Sequence, residues 1–376
     1  MHPKRLRYAL LGAVSAGLTA CAGAPVTPSA PAPADRIGYT VYVASESSDL
    51  VTAVEFDAAT GARVARDIPV GIMPGDIDGA HGLQASLDGR FWYLSIAHGQ
   101  PFGTVWKFDA DADTLVGRTE VGMFPATMGI TPDGEYLFVV NFNLHGDPDP
   151  STVSVVHTPT MTELARPVAC VRPHGSRVNA AGTKNYVACV GSDQIAEIDT
   201  RTFDVTGRFS VAPGREGVAA GEGIEEARGS DCGPTWVTPG VASREGLVYV
   251  PCNKLGQILE IDVREWRVVR RFPTGAGPYN LEITPDGSTL VASLKGAQAV
   301  AIFDLEAGAE AARLGTSQPL THGVAISPDG RFAFVSSEAI GATPGTLDVF
   351  DLPARARVAS VELGLQAGGI VLVRER

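Results

Sequence analysis

Short apolar runs with period-two alternation recur along this 376-residue chain, and no segment carries the period of a long amphipathic helix. Each run leads to a turn signal and then to a second, β-rich run. Residues 321–338 read THGVAISPDGRFAFVSSE. The pattern also appears as AHGLQASLDGRFWYLSIAH from Ala80, PATMGITPDGEYLFVVN from Pro125, PHGSRVNAAGTKNYVAC from Pro173 and PYNLEITPDGSTLVAS from Pro278. Pro presets φ and Gly supplies a positive φ, so Pro-Asp-Gly closes a hairpin with little strain. A third run ends in Asp57, Asp109, Asp199, Asp262, Asp304 and Asp351, and His157 takes that place in one unit. An Asp there accepts backbone N–H groups two residues on and starts the next turn. A fourth run, such as residues 268–272, closes each unit.

Four antiparallel strands repeating every roughly 45 residues predict a β-propeller. Six units with all strands in order start near His81, Ala126, His174, Pro239, Tyr279 and His322. The seventh is split: residues 39–70 supply three strands and residues 368–373 the missing inner one. The expectation is an all-β, seven-bladed propeller over 38–376, its ring closed by the C-terminal strand pairing with the N-terminal blade. The segments SPDGRFAFVSS, TPDGEYLFVVN and TPDGSTLVAS resemble the YVTN-type β-propeller repeat family, from Tyr39 to the C-terminus. That resemblance implies the fold and no single activity, because the family includes surface proteins and cofactor-handling proteins. Blades four and five depart from it, with Ala180-Ala181-Gly182 and Arg244-Glu245-Gly246 in place of Pro-Asp-Gly.

Composition fits this picture: 44% hydrophobic and 19% charged residues suit a large core, and 43 Gly with 26 Pro suit many turns. The N-terminus is separate. MHPKRLR is basic, and YALLGAVSAGL is too short to span a bilayer. Leu18-Thr19-Ala20-Cys21 resembles the lipobox of bacterial lipoproteins, which implies a signal peptide over 1–20 and lipidation of Cys21. Residues 21–37 then read as the lipidated Cys and a Pro-rich tether. Ala22, by the sorting rule of that family, implies an outer-membrane lipoprotein facing the periplasm or the cell surface. Removing 1–20 takes away Lys4, Arg5 and Arg7, which leaves 27 bases against 42 acids and a net charge of −15. Such a chain repels polyanions, so no nucleic-acid partner is expected.

Strand register pairs the cysteines. Cys170 precedes the inner strand of blade four and Cys189 ends its neighbour, and Cys232 and Cys252 stand in near-equivalent places in blade five. Antiparallel neighbours bring each pair within disulfide reach in an oxidising compartment, predicting Cys170–Cys189 and Cys232–Cys252. A four-Cys metal site lacks any Cys-x-x-Cys spacing.

His81, His174 and His322 fill one repeat position, where the inner strand opens beside the central channel; Tyr279 stands there in blade six. His98 and His145 fall in second-to-third-strand loops of the same face, and His157 falls on the other. Asp76, Asp78, Glu46 and Glu338 add candidate carboxylates. Imidazoles converging from several blades suit a transition metal (copper, zinc or iron) or a cofactor. Equally, His-Gly suits the chain's turn into the inner strand, with imidazole bonding a neighbouring blade's backbone. Two insertions, 143–150 and the Gly-rich 213–231, map to the histidine-bearing face, the longer as a lid or a surface loop. No nucleophile elbow, Walker loop, dinucleotide fingerprint or His-Glu-x-x-His is present. The leading expectation is a lipid-anchored propeller that binds a protein partner or small ligand at its His-rich channel face. The alternative is a metal- or cofactor-dependent lyase or oxidoreductase, and a lactonase has fold analogy alone behind it.

Overall fold

The computed structural model describes residues 38–72, 75–98, 102–219, 223–224 and 230–375. The segments read as signal peptide, lipidated Cys21 and tether lie outside the described residues. Seven antiparallel sheets form the ring. The inner strands of blades two, three, four, six and seven are Ala80–Ala85, Pro125–Ile130, Pro173–Val178, Pro278–Ile283 and Leu320–Ile326. Blade one comprises Gly61–Pro69, Leu50–Asp57, Gly38–Ser45 and, innermost, Ala367–Glu375. Tyr39 pairs with Glu375 and Ser45 with Ala367, so the two ends of the chain close the circle as the sequence predicts. Blade three gains an extra strand, Val168–Val171, and blade four gains Gly217–Val218 on its outer edge. The described part of the 213–231 insertion thus includes an outer-edge strand of blade four; residues 220–222 and 225–229 lie outside the description.

The repeat chemistry appears as read. Asp57, Asp109, Asp199, Asp262 and Asp304 each accept N–H groups two and three residues on. In blade four Asn179 replaces the turn's Ser/Thr-Pro-Asp set, its Oδ1 accepting from the N–H groups of Thr183 and Lys184. Blade five corrects the sequence register. Its channel position is Thr235, not Pro239: Pro234 bridges Cys252 as Pro173 pairs with Cys189. The 3-10 turn Ala242–Arg244 lengthens the hairpin there, and only Thr238–Pro239 remains as regular inner strand. Both predicted disulfides form, with Cα–Cα distances of 5.9 Å for Cys170–Cys189 and 4.5 Å for Cys232–Cys252.

The Gly of His-Gly is structural. A Cβ on Gly82 would overlap the carbonyl of Ala126, one on Gly175 would lie 2.6 Å from Trp236 Cα, and one on Gly369 would overlap the carbonyl of His81. At these contacts inner strands of adjacent blades approach backbone to backbone, which only Gly permits; Thr127, Trp236 and Asn280 stand at the equivalent position in the other three blades. Buried serines lock that approach. Gly82 N–H donates to Ser95 Oγ, which donates to Ala126 O; Ser293 Oγ links Asn280 N–H to His322 O, and Ser336 Oγ links Gly323 N–H to Gly368 O. Gly82→Ala is expected to cost about 2–3 kcal/mol by overpacking, whereas Gly315→Ala, whose Cβ meets nothing closer than 4.0 Å, is expected to be near neutral. Urea unfolding of the two variants checks this; equal stabilities would contradict it.

Candidate functional site

Two repeat positions build the channel mouth. The first opens the inner strand and carries His81, His174, Tyr279, His322 and Gly368. The second lies at the end of the second strand, where Glu46, Phe142 and Lys295 directly follow the strand and Glu338 is its last residue. The residue ahead of the inner strand takes a left-handed conformation at Phe124 (φ +52°) and Gln366 (φ +56°), and both side chains reach the mouth. These residues enclose a cavity of about 150 Å³, roomy for about five waters at bulk density.

On the blade one–two side, Glu46 is the hub. Its Oε2 lies 2.8 Å from His81 Nδ1 and accepts from Gln366 Nε2 at 3.1 Å, while Oε1 lies 3.0 Å from His98 Nε2. Burial opposes the charge on Glu46, but His81 and His98 outweigh it and hold the carboxyl far below the usual range. Glu46 in turn raises the His98 pKa. Because a carboxylate only accepts, His81 carries its proton on Nδ1, and Nε2 is left to the cavity.

On the far side, Lys295 Nζ lies 3.0 Å from Glu338 Oε1 and 4.6 Å from the Tyr279 ring centre. Glu338 Oε1 is also 3.2 Å from His322 Nε2. His174 sits between the two groups. Its Nδ1 donates to Thr235 O at 2.8 Å, so Nε2 accepts from Tyr279 hydroxyl at 3.2 Å. That is the backbone-bonding role anticipated for the imidazole, and the Tyr279 partner adds to it. Burial pulls His174 down to about 3 and His322 well below its ordinary value, the latter helped by Lys295. Both are neutral imidazoles at pH 7. Burial also pushes the Tyr279 hydroxyl far up.

His98 and His145 form the rim. The His98 ring lies 6.0 Å from that of His145, and both pack on Phe124. The 143–150 insertion thus folds over the mouth, with Leu144 lining the cavity. Asp78 accepts from Ile72 N–H at 2.5 Å, and Asp76 stands exposed outside the cavity wall. His157 bonds Thr160 on the opposite face. Among the described residues no three His, Cys, Asp or Glu side chains are placed to hold one metal ion. Lys295, Phe142 and Phe124 escaped the sequence reading; aligning Glu46 and Glu338 onto one repeat position would have picked out Lys295 and Phe142.

Bulges recur in the inner strands, between Pro173 and Ser176 in blade four and between Pro278 and Leu281 in blade six. They allow the residue three beyond the mouth position to face the channel too. Arg177 and Glu282 meet there at 3.2 Å, roughly 10 Å further along the axis. Burial inside the channel raises the Glu282 carboxyl despite Arg177. The mouth cavity is lined by neither of them.

The neutral histidines set an acid limit on stability. Each binds a proton readily only when unfolded, so stability is full above about pH 6.5 and falls as pH drops toward the folded value of about 3 for His174. His98, raised by Glu46, works the other way and stabilises as pH falls. Each of the two buried imidazoles loses about 1.5 kcal/mol between pH 6.5 and pH 5 and His98 returns only a few tenths, so the expected net loss is about 3 kcal/mol. Urea unfolding at the two pH values tests it; stability that rose toward pH 5 would contradict the assignment.

Among solved structures, a periplasmic gluconolactonase of Pseudomonas aeruginosa is 17% identical, with a TM-score of 0.66 over 90% of this chain and 99% of its own. A putative 6-phosphogluconolactonase of Bacteroides fragilis is 16% identical, with a TM-score of 0.66 over 92% and 100%. Hydrazine synthase of Kuenenia stuttgartiensis is 19% identical, with a TM-score of 0.62 over 82% and 97%. At these identities the likeness shows the seven-bladed fold alone. No protein-family model matches the chain, and no curated protein matches it.

Proposed function

We propose that this protein is a lipid-anchored propeller of the YVTN-repeat type that binds a small polar ligand in the channel-mouth cavity, on the periplasmic side of the outer membrane or at the cell surface. One observation carries the reading: side chains from blades one, two, three, four, six and seven converge on a single cavity of about 150 Å³. Its polar groups, His81 and Lys295 among them, are held by partners yet still line open space. A protein partner would meet the rim rather than this interior. The expected ligand is a small molecule of few heavy atoms with both a donor and an acceptor. Thermal-shift screening of small polar metabolites against the wild type and Tyr279→Phe tests it. At least one compound should raise the melting temperature of the wild type and act less on the variant; a screen without any such compound refutes the reading. The anchor is tested separately, by radiolabelled palmitate incorporation that Cys21→Ala abolishes.

An enzymatic second reading has its own support in the Glu46–His81 pair. Lactone hydrolysis, named for two of the structural neighbours, draws on fold likeness only.

A further inference from the structure

The cavity has two unlike walls. On one, a carboxylate holds an imidazole by Nδ1 and presents Nε2 to the space: Glu46 Oε2 to His81 Nδ1 is 2.8 Å. On the other, a second carboxylate holds an ammonium: Glu338 Oε1 to Lys295 Nζ is 3.0 Å. His81 is on blade two and Lys295 on blade six, so base and cation face each other across a space about five waters in volume. Glu46 is itself fixed from the far end of the chain. It accepts from Gln366 Nε2, its backbone N–H donates to Gln366 O at 3.1 Å, and Ser47 Oγ donates to Gln366 Oε1 at 2.6 Å. A ring that is oriented on one nitrogen and open on the other is what proton abstraction needs, and a fixed cation opposite is what a developing oxyanion needs.

We infer that the mouth is a site for proton abstraction next to a carbonyl, with His81 Nε2 as general base, Lys295 as the group that receives the oxyanion, and a small hydroxy-carbonyl compound as substrate. This rests on the small-ligand reading of the same cavity. In the step, the C–H bond beside the carbonyl breaks and its proton passes to His81 Nε2. The bonding pair becomes the enolate double bond, and the carbonyl pair moves to the oxygen, which Lys295 Nζ hydrogen-bonds. The imidazolium is stabilised through Nδ1–H by Glu46. Return of a proton to carbon regenerates neutral His81 and completes isomerisation or exchange. No oxidant, reductant or other co-reactant enters. Glu46 touches no reacting atom and is a positioning residue.

The test uses hydroxyacetone, small enough for the cavity, with the whole chain in D₂O. Proton NMR follows loss of the CH₂ signal, and saturation-transfer NMR follows binding. The wild type should exchange the CH₂ protons well above the buffer rate. His81→Gln should lose about 100-fold or more of that rate. Glu46→Gln should lower kcat about tenfold with KM little changed, which a merely structural role would not produce in a variant that melts like the wild type. Lys295→Met should lower kcat, and His157→Ala on the opposite face should leave exchange unchanged. Binding without exchange, or exchange indifferent to His81→Gln, overturns the base while leaving the ligand pocket standing. Absence of both binding and exchange overturns the proposed substrate class.

Discussion

A chain that stops at Leu365 is expected to lose its cooperative fold. Residues Ala367–Glu375 are the innermost strand of blade one, and they pair with Gly38–Ser45 from Tyr39 to Ser45, with two register shifts. Ala367, Ile370 and Val373 are buried, and Ile370 and Val373 belong to the two hydrophobic clusters that flank blade one. Each buried aliphatic side chain contributes about 1.5–3 kcal/mol, and the strand also satisfies backbone groups of Tyr39–Ser45 that would otherwise face an open slot. The sum rivals the total stability of an ordinary fold, about 5–15 kcal/mol. The slot would expose an unpaired strand edge as well, so aggregation should accompany the loss. Thermal unfolding followed by circular dichroism measures it. Adding a peptide of residues 366–375 in trans should restore part of the transition. A truncated chain that melts sharply within a few degrees of the full one would show that the ring does not depend on this strand.

The second large effect is expected from the disulfides. They close loops of 19 and 20 residues, for which chain entropy suggests about 3 kcal/mol each. Their placement compensates for turn chemistry. Among the six blades with a continuous chain, four and five are the two whose inner hairpin lacks an Asp-Gly turn, and each disulfide ties the start of the inner region to the end of the second strand. Blade five is weaker still, since its regular inner strand is the two residues Thr238–Pro239. Replacing Cys232 and Cys252 by Ser should therefore cost more than replacing Cys170 and Cys189, and the fourfold variant about 6 kcal/mol. Urea midpoints of the three variants decide. A loss under about 1 kcal/mol for the blade-five pair would contradict the staple role.

What was readable in advance follows from how each feature is encoded. The blades were legible because one turn needs Pro, Asp and Gly in fixed order and one strand end needs Asp. The split blade was legible because its missing strand appears nowhere but at residues 367–375. Blade five slipped in register, from Thr235 to Pro239, because its hairpin carries the extra 3-10 turn Ala242–Arg244 and offers no turn signature to count from. The mouth was half legible. His81, His174, His322, Tyr279, Glu46 and Glu338 do meet there. Asp76 and Asp78 were grouped with them on face alone, and a face holds many loops; one stands exposed and the other caps its own loop. Lys295 was passed over because a lysine after a strand reads as a solvated end, and its role needs Glu338 and Tyr279 beside it.

The Arg177–Glu282 pair has a consequence for traffic. A channel that ran clear from face to face would let a molecule arrive at one side and depart at the other. Here Arg177 and Glu282, from blades four and six, pair below the cavity and narrow the passage at that level, both side chains staying partly exposed. A ligand that the pair turns back leaves by the doorway of His98, His145 and Leu144 through which it came. Residence time should then be governed by that doorway, and changes at Leu144 should slow or speed arrival and departure together while leaving the equilibrium affinity nearly where it was.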